Sequence, residues 1–311
     1  MWQAFAQSPA IPDGVEGMEG MKGTEEDVRP ARRRSIFRRL AARRSPREVK
    51  VSTSLRFYHE VVGLDHLHYG LWNGEPLTLE GLKIAQDRFT RNLLEWIPES
   101  VSSVLDVGCG IGSTALTLQE RGYDVEGLSP DPYHETAFAT RVGAPFHLRR
   151  FQEFEPRRTY DLVLMSESAQ YVWLDSLFPA VARATPGGHF LVADYFIGNG
   201  ARGVLAKSGH PLPGFLERAE AAGFRLERRQ DITEQVTPTL DLARSWLERY
   251  IDPCLEIISD HAQRKRPWLT RPLRWLLRRQ IEKAAEMRKL VDSEAFKHHK
   301  QYLILRFKVP G

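Results

Sequence analysis

Apolar and polar positions along the chain fall into blocks that predict alternating strands and helices. Short apolar runs at Ser102 to Val107, Asp124 to Leu128, Pro145 to Leu148, Asp161 to Met165 and His189 to Phe196 read as strands. Helical spacing lies between them, at Thr114 to Gln119, Glu135 to Thr140 and Asp175 to Ala184. Such alternation predicts a parallel sheet with crossover helices. A helix over Phe215 to Ala222 that stops at Gly223, a strand over Arg225 to Ile232 and a closing strand over Tyr302 to Val309 extend the pattern. Upstream, Leu55, Tyr58, His59, Val62 and then Leu82, Ala85, Phe89, Leu93 recur at helical spacing. They predict two helices flanking a turn-rich HYGLWNGEP stretch. Between the last two strands lie about seventy residues, too many for a structureless loop, so this insertion is expected to be helical. Leu242, Trp246 and Tyr250, then Trp268, Leu273, Leu276, Leu277 and Ile281, supply its apolar positions.

Composition narrows the class without changing the pattern. The 311 residues are 42% apolar and 27% charged, ordinary for a soluble globular chain. Cys109 and Cys254 show no CxxC or Cys/His spacing, so neither a disulfide framework nor a metal site is expected, and a reducing cytoplasm suits the usage. No apolar run reaches the roughly 18 residues of a membrane span, and no apolar stretch follows the N-terminal charges as in a secretory signal. Met1 to Arg47 is rich in Gly, Pro, Glu and Arg and predicts a disordered tail, with one short basic helix possible over Ser35 to Arg44. The net charge is only +4, but about ten basic residues lie between Arg29 and Lys50 and about ten more between Arg264 and Lys289.

The chemistry concentrates in Asp106-Val-Gly-Cys-Gly-Ile-Gly112, which follows a strand and opens a helix. Glycines there let the backbone turn sharply and approach a ligand with no Cβ in the way. The ligand would lie at the carboxyl ends of the strands. A dinucleotide site shares the glycine spacing, but a leading carboxylate at Asp106 repels a pyrophosphate and pairs with the ammonium of an amino-acid cofactor.

VLDVGCGIG resembles the first motif of class I S-adenosylmethionine-dependent methyltransferases. The resemblance implies an α/β, Rossmann-like, seven-stranded doubly wound sheet with an N-terminal helical cap and a helical insertion before the last strand. The expected divisions are a tail over 1–47, a cap over 48–100, a cofactor-binding core over 101–235, a lid over 236–298 and the last strand over 299–311. It implies S-adenosyl-L-methionine as cofactor, its methionine part held by Asp106 and the backbone of Gly108, Gly110 and Gly112. The family usually ends the second strand on an acidic residue that accepts from both ribose hydroxyls, whereas the register DVEGLSPDP places Ser129 there. Either Ser129 suffices or Asp131, two residues on, takes part. Tocopherol methyltransferases and cyclopropane fatty acid synthases resemble this chain in carrying a small hydroxyl residue near that point. Phe151 and Gln152 stand where such enzymes contact the adenine edge.

His66-Leu-His-Tyr-Gly-Leu-Trp72 is similar to the "HYG" segment of small-molecule methyltransferases that act on tocopherols, alkaloids and amine osmolytes. There it covers the cofactor and lines the acceptor pocket, which makes His68, Tyr69 and Trp72 candidate substrate contacts. Flat aromatic faces also exclude water and suit a sulfonium cation. Candidate bases on loops after strands include Glu167 in SESAQY and His210 in KSGHPLP, and Tyr69 of the HYG segment is a further catalytic candidate. Asp194 and Tyr195 in ADYF are further candidates, and Glu167, Tyr171 and Tyr195 are expected on the acceptor side.

Arg264 to Lys289 interleaves Trp268, Trp275 and leucines with arginines, a composition suited to an anionic membrane surface and a lipophilic acceptor. The same residues allow a packed lid with a solvated basic face. Arginine clusters also suit phosphates, but no recognised RNA-binding module is present, and SESAQY stands where an Asn/Asp-Pro-Pro-Tyr loop would serve a flipped base. A degenerate, non-methylating cofactor fold is a third reading, motivated by Ser129. The expectation is therefore a methyltransferase for a small, lipophilic acceptor, cytoplasmic or peripheral to a membrane, with nucleic acid disfavoured.

Overall fold

A computed structural model describes residues 53–198, 200–265 and 288–311. The tail over 1–47, the short basic helix within it and most of Arg264 to Lys289 lie outside the described residues. The sheet has the order β3-β2-β1-β4-β5-β7-β6, with β1 Ser103–Val107, β2 Asp124–Ser129, β3 Phe146–Leu148, β4 Leu162–Ser166, β5 His189–Ile197, β6 Arg225–Asp231 and β7 Lys300–Lys308. Among the described residues the α-helices of eight or more residues are α1 Leu79–Leu94, α2 Ser113–Glu120, α3 Pro132–Arg141, α4 Leu174–Ala184, α5 Leu212–Ala221, α6 Pro238–Trp246 and α7 Asp252–Lys265; a shorter α8, Ser293–His299, leads into β7. This is the α/β, Rossmann-like sheet expected from the sequence.

Strand alternation explains the layering. Successive side chains point to opposite faces, so Leu162 and Leu164 of β4 join one apolar core while Val163 and Met165 join the other. Both faces are buried, which is why the central strands carry near-continuous apolar runs rather than half-polar ones. β6 differs: RLERRQD lies at the sheet edge and is mostly exposed, and its charges blunt an edge that otherwise offers unpaired backbone.

β7 is antiparallel to both β5 and β6, so the all-parallel arrangement suggested by strand–helix alternation ends at β5. The register pairs Ile197 with Lys300 and Asp231 with Leu303, which brings the end of β6 and the start of β7 to the edge where β5 also ends. The connection between β6 and β7 therefore leaves and returns beside the carboxyl ends of the parallel strands. Its described part is helical, and it meets the N-terminal segment directly. Thr239 Oγ1 accepts from the backbone N–H of Gly70 at 3.0 Å and from Trp72 Nε1–H at 2.8 Å. Among the described residues no helix is long and apolar enough to cross a membrane.

Candidate active site

A cavity of about 330 Å³ opens at the carboxyl ends of β1, β2 and β4, within the size range of small-ligand sites. Its floor is the glycine loop. Gly108, Gly110 and Gly112 all have positive φ, which L side chains rarely adopt. At Gly108 a Cβ would stand 2.3 Å from Ser168 Cβ, so the missing side chain admits the turn after β4. At Gly110 a Cβ would meet nothing within 4 Å, and this residue lines the cavity. The loop thus offers bare backbone to a ligand.

Asp106, the last residue but one of β1, also lines the cavity. It is 3% exposed, its Oδ2 has no partner among the described residues, and burial pushes its carboxyl up to about 7. A buried carboxylate oxygen without a partner is costly. An ammonium group is the natural complement, so the donor set fits the methionine end of S-adenosylmethionine.

β2 leads to Ser129, Pro130 and Asp131 on the same wall. Asp131 caps α3, its Oδ1 accepting from the backbone N–H of Tyr133 at 2.9 Å, with Pro132 at the first helical position. Ser129 Oγ lies 2.9 Å from Nδ1 of His134, a cavity-lining residue that the sequence reading did not single out. Its one available signal was position: three residues after the Asp-Pro helix start, it occupies the first turn of α3, facing back toward β2. Phe151 and Gln152 line the far wall, beyond β3, with Phe151 buried.

Glu167 lines the opposite wall, directly after β4. It is the one non-glycine residue with positive φ (52°) among the described residues, a strained conformation that surrounding contacts must hold. Those contacts are visible. Glu167 Oε1 accepts from the backbone N–H of Tyr69 at 2.6 Å and from the Tyr302 hydroxyl at 3.0 Å. Tyr171, on the same turn, lines the cavity as well.

Of the other sequence candidates on the acceptor side, all but His68 lie away from the cavity. The Tyr69 ring is 2% exposed and packs on Tyr195, Phe296 and Tyr302, and burial drives its phenol pKa far up; only its backbone N–H reaches Glu167. Trp72 is buried with Leu64, Leu82 and Leu242, and Tyr195 lies under the Lys300 ammonium at 4.1 Å from its ring centre. Neither borders the cavity. His68 does border it, yet both ring nitrogens are engaged, Nδ1–H donating to the Tyr69 carbonyl at 2.7 Å and Nε2 accepting from Thr90 at 3.1 Å. His210 supports the turn after β4 from outside, donating from Nε2 to the Ala169 carbonyl at 3.0 Å. Asp194, pushed up to about 7 chiefly by burial, holds the same turn by accepting from the backbone N–H of Gln170 at 3.1 Å. The reason is geometric: an aromatic residue flanked by apolar neighbours minimises exposed area by turning inward, and a motif position does not specify that direction.

Comparison with known proteins agrees with this geometry. Residues 82–234 match a family model described as a methyltransferase domain. The chain is 27% identical over 210 residues to the methyltransferase GfsG of Streptomyces halstedii, covering 56% of this chain and 71% of that protein. It is 25% identical over 214 residues to 2-methyl-6-phytyl-1,4-hydroquinone methyltransferase of Synechocystis, covering 59% of this chain and 65% of that one. In fold it is similar to geranyl diphosphate C-methyltransferase of Streptomyces coelicolor, with a TM-score of 0.60 and 16% identity over 81% of this chain and 92% of that chain. A glycine-cradled cavity, a buried carboxylate awaiting a cation and the sheet order all agree with these likenesses: residues 82–234 are a methyltransferase domain, similar to those of the class I S-adenosylmethionine-dependent methyltransferases.

Proposed function

We propose that the cavity holds S-adenosylmethionine with its amino-acid end at Asp106 and the Gly108, Gly110 and Gly112 backbone, its ribose at the end of β2 and its adenine against Phe151 and Gln152. The methyl acceptor is a small lipophilic molecule that reaches the cofactor from the Glu167 and Tyr171 wall. The observation that carries this reading is the Asp106 Oδ2, buried at the cavity wall and without a partner among the described residues.

Bound there, the cofactor supplies a methyl group already activated by its sulfonium sulfur. The protein's work is then alignment and exclusion of water. Glu167, anchored by the Tyr69 N–H and the Tyr302 hydroxyl, is the group we assign to the acceptor, as base for a hydroxyl or as counter-charge to a developing cation. Tyr69 and Tyr302 act through it as positioning residues, and His210 and Asp194 steady the turn that carries it.

Two features favour a lipophilic acceptor. Tyr171 and Trp173 are 42% and 77% exposed beside the cavity-lining Val172, and the Synechocystis relative is named for a phytyl-bearing hydroquinone. Contact with an anionic membrane belongs to the same proposal. α7 exposes Leu255 and Ile258 in line with Ile251 just before it, and the chain from Arg264 to Lys289 is strongly basic.

Calorimetry with S-adenosylmethionine, followed by S-adenosylhomocysteine release in the presence of prenylated hydroquinones or of polar amines and catechols, tests the reading. Tight cofactor binding with turnover confined to the prenylated acceptors is expected. No turnover of prenylated acceptors alongside rapid turnover of polar ones would sink the lipophilic assignment, and unchanged cofactor binding by Asp106→Asn would sink the cavity assignment. Flotation with anionic vesicles addresses the membrane; absence of binding removes that element.

A further inference from the structure

The strand that normally ends in a ribose-binding carboxylate ends here in a hydroxyl, and that hydroxyl is already engaged. Ser129 Oγ accepts from the backbone N–H of Asp131 at 3.3 Å and lies 2.9 Å from His134 Nδ1. A serine has one proton to donate. Its oxygen takes the amide N–H on one lone pair and its proton is free to go to Nδ1 on the other side, the arrangement that leaves the ring hydrogen facing the cavity. Nδ1 is then an acceptor, and a neutral imidazole with an unprotonated Nδ1 carries its hydrogen on Nε2. Burial lowers the His134 pKa and keeps the ring neutral; the Asp131 carboxylate opposes that shift but is the smaller influence.

His134 is 5% exposed and lines the cavity, and its Nε2 has no partner among the described residues. A buried N–H with nothing to donate to costs stability unless a ligand completes it. The sheet order says which part of the ligand that is. Asp106 marks the β1 end of the cavity and Phe151 and Gln152 the end beyond β3, and β2 lies between β1 and β3. A cofactor laid from Asp106 to Phe151 crosses the end of β2 with its ribose.

We propose that His134 is a cofactor-binding residue that donates from Nε2–H to a ribose hydroxyl oxygen of S-adenosylmethionine, with Ser129 as the positioning residue that fixes its tautomer. The inference rests on the reading that this cavity binds the cofactor. A hydroxyl accepts as readily as it donates, so a neutral donor replaces the missing carboxylate by reversing the direction of one hydrogen bond. The contact is blind to the methionine end. S-adenosylhomocysteine and 5′-methylthioadenosine, which share the ribose but differ in the amino-acid group, must feel it equally.

Calorimetry on the full chain separates the possibilities. His134→Phe, which keeps a ring and removes the donor, is expected to weaken S-adenosylhomocysteine and 5′-methylthioadenosine by the same factor, about three- to tenfold. Asp106→Asn is expected to weaken only S-adenosylhomocysteine. If His134→Phe binds both ligands as wild type does while Asp106→Asn weakens S-adenosylhomocysteine, the His134 contact is overturned and the cavity reading stands. If Asp106→Asn changes neither ligand, the cavity reading fails and takes the contact with it. Side-chain ¹⁵N NMR of the wild type provides a readout independent of how the variant folds. The Nε2–H tautomer, with its resonance shifted by 5′-methylthioadenosine, is expected; an Nδ1–H tautomer or an unmoved resonance overturns the proposal.

Discussion

The β1–β2–β3 side of the cavity and the β4–β5–β7 side differ in how far apart in sequence their parts lie. On the first side Asp106, the glycine loop, Ser129, His134 and Phe151 follow one another within a short stretch, and each is placed by its own strand end or helix start. On the second, Glu167 is fixed by Tyr69, 98 positions earlier, and by Tyr302, 135 positions later. Local geometry suffices for the former. The latter exists only once the antiparallel β7 and the N-terminal segment have docked. We therefore expect the cofactor side to tolerate changes on the acceptor side, and the acceptor side to be the more easily disordered.

The strongest test of that separation is Glu167→Gln. Turnover is expected to fall by about a hundredfold or more, with cofactor affinity held within about twofold by calorimetry; a parallel loss of affinity would break the comparison. Asp106→Asn should do the reverse, weakening S-adenosylmethionine by about ten- to a hundredfold because a charge-assisted bond is removed. Its pH dependence carries a sign. The Asp106 carboxyl sits near 7 in the unliganded protein, so it is protonated and unable to pair with an ammonium below that value. Wild-type affinity should rise between pH 6 and 8, and the variant should show a flatter profile.

Gly108→Ala links the two sides. A Cβ there would stand 2.3 Å from Ser168 Cβ on a backbone with φ of 79°, so a loss of about 1–3 kcal/mol in chemical denaturation is expected. Tyr302→Phe is milder. It removes one donor to Glu167, and a kcat about three- to tenfold lower with cofactor affinity unchanged would place Tyr302 as a positioning residue. The smallest effect concerns the segment that crosses both sides. Burial lowers His66 to about 3, below its unfolded value, so the unfolded state binds the extra proton and this residue's contribution falls as pH falls through about 6.5. Relative to wild type, His66→Asn should gain about 1 kcal/mol between pH 6.5 and 5.5. The raised carboxyls of Asp106 and Asp194 act with the opposite sign and are common to both proteins.

Legibility followed the same division. The strands and crossover helices were readable to within a residue or two at most ends because period-two and helical spacing are local. Asp124 to Leu128 became Asp124–Ser129, and Asp175 to Ala184 became Leu174–Ala184. The helix expected from Phe215 begins at Leu212, because Pro213 is acceptable in a first turn and Pro211 stands outside it at the N-cap. The antiparallel sense of β7 was not readable, since apolar runs carry no direction. Tyr69, Trp72 and Tyr195 were named for their aromatic chemistry, and packing turned them into the core.

By itself the sequence determined the individual strands and crossover helices, the glycine loop and the carboxylate that precedes it, because each depends on backbone geometry over a few residues. Tertiary structure decided the rest. It chose which oxygen of Glu167 is anchored, and it closed the cavity onto which His134 opens, whereas the hydroxyl partner of His134 lies only five residues away. Such choices depend on which distant chains meet and in what register, and no spacing within a single segment encodes them.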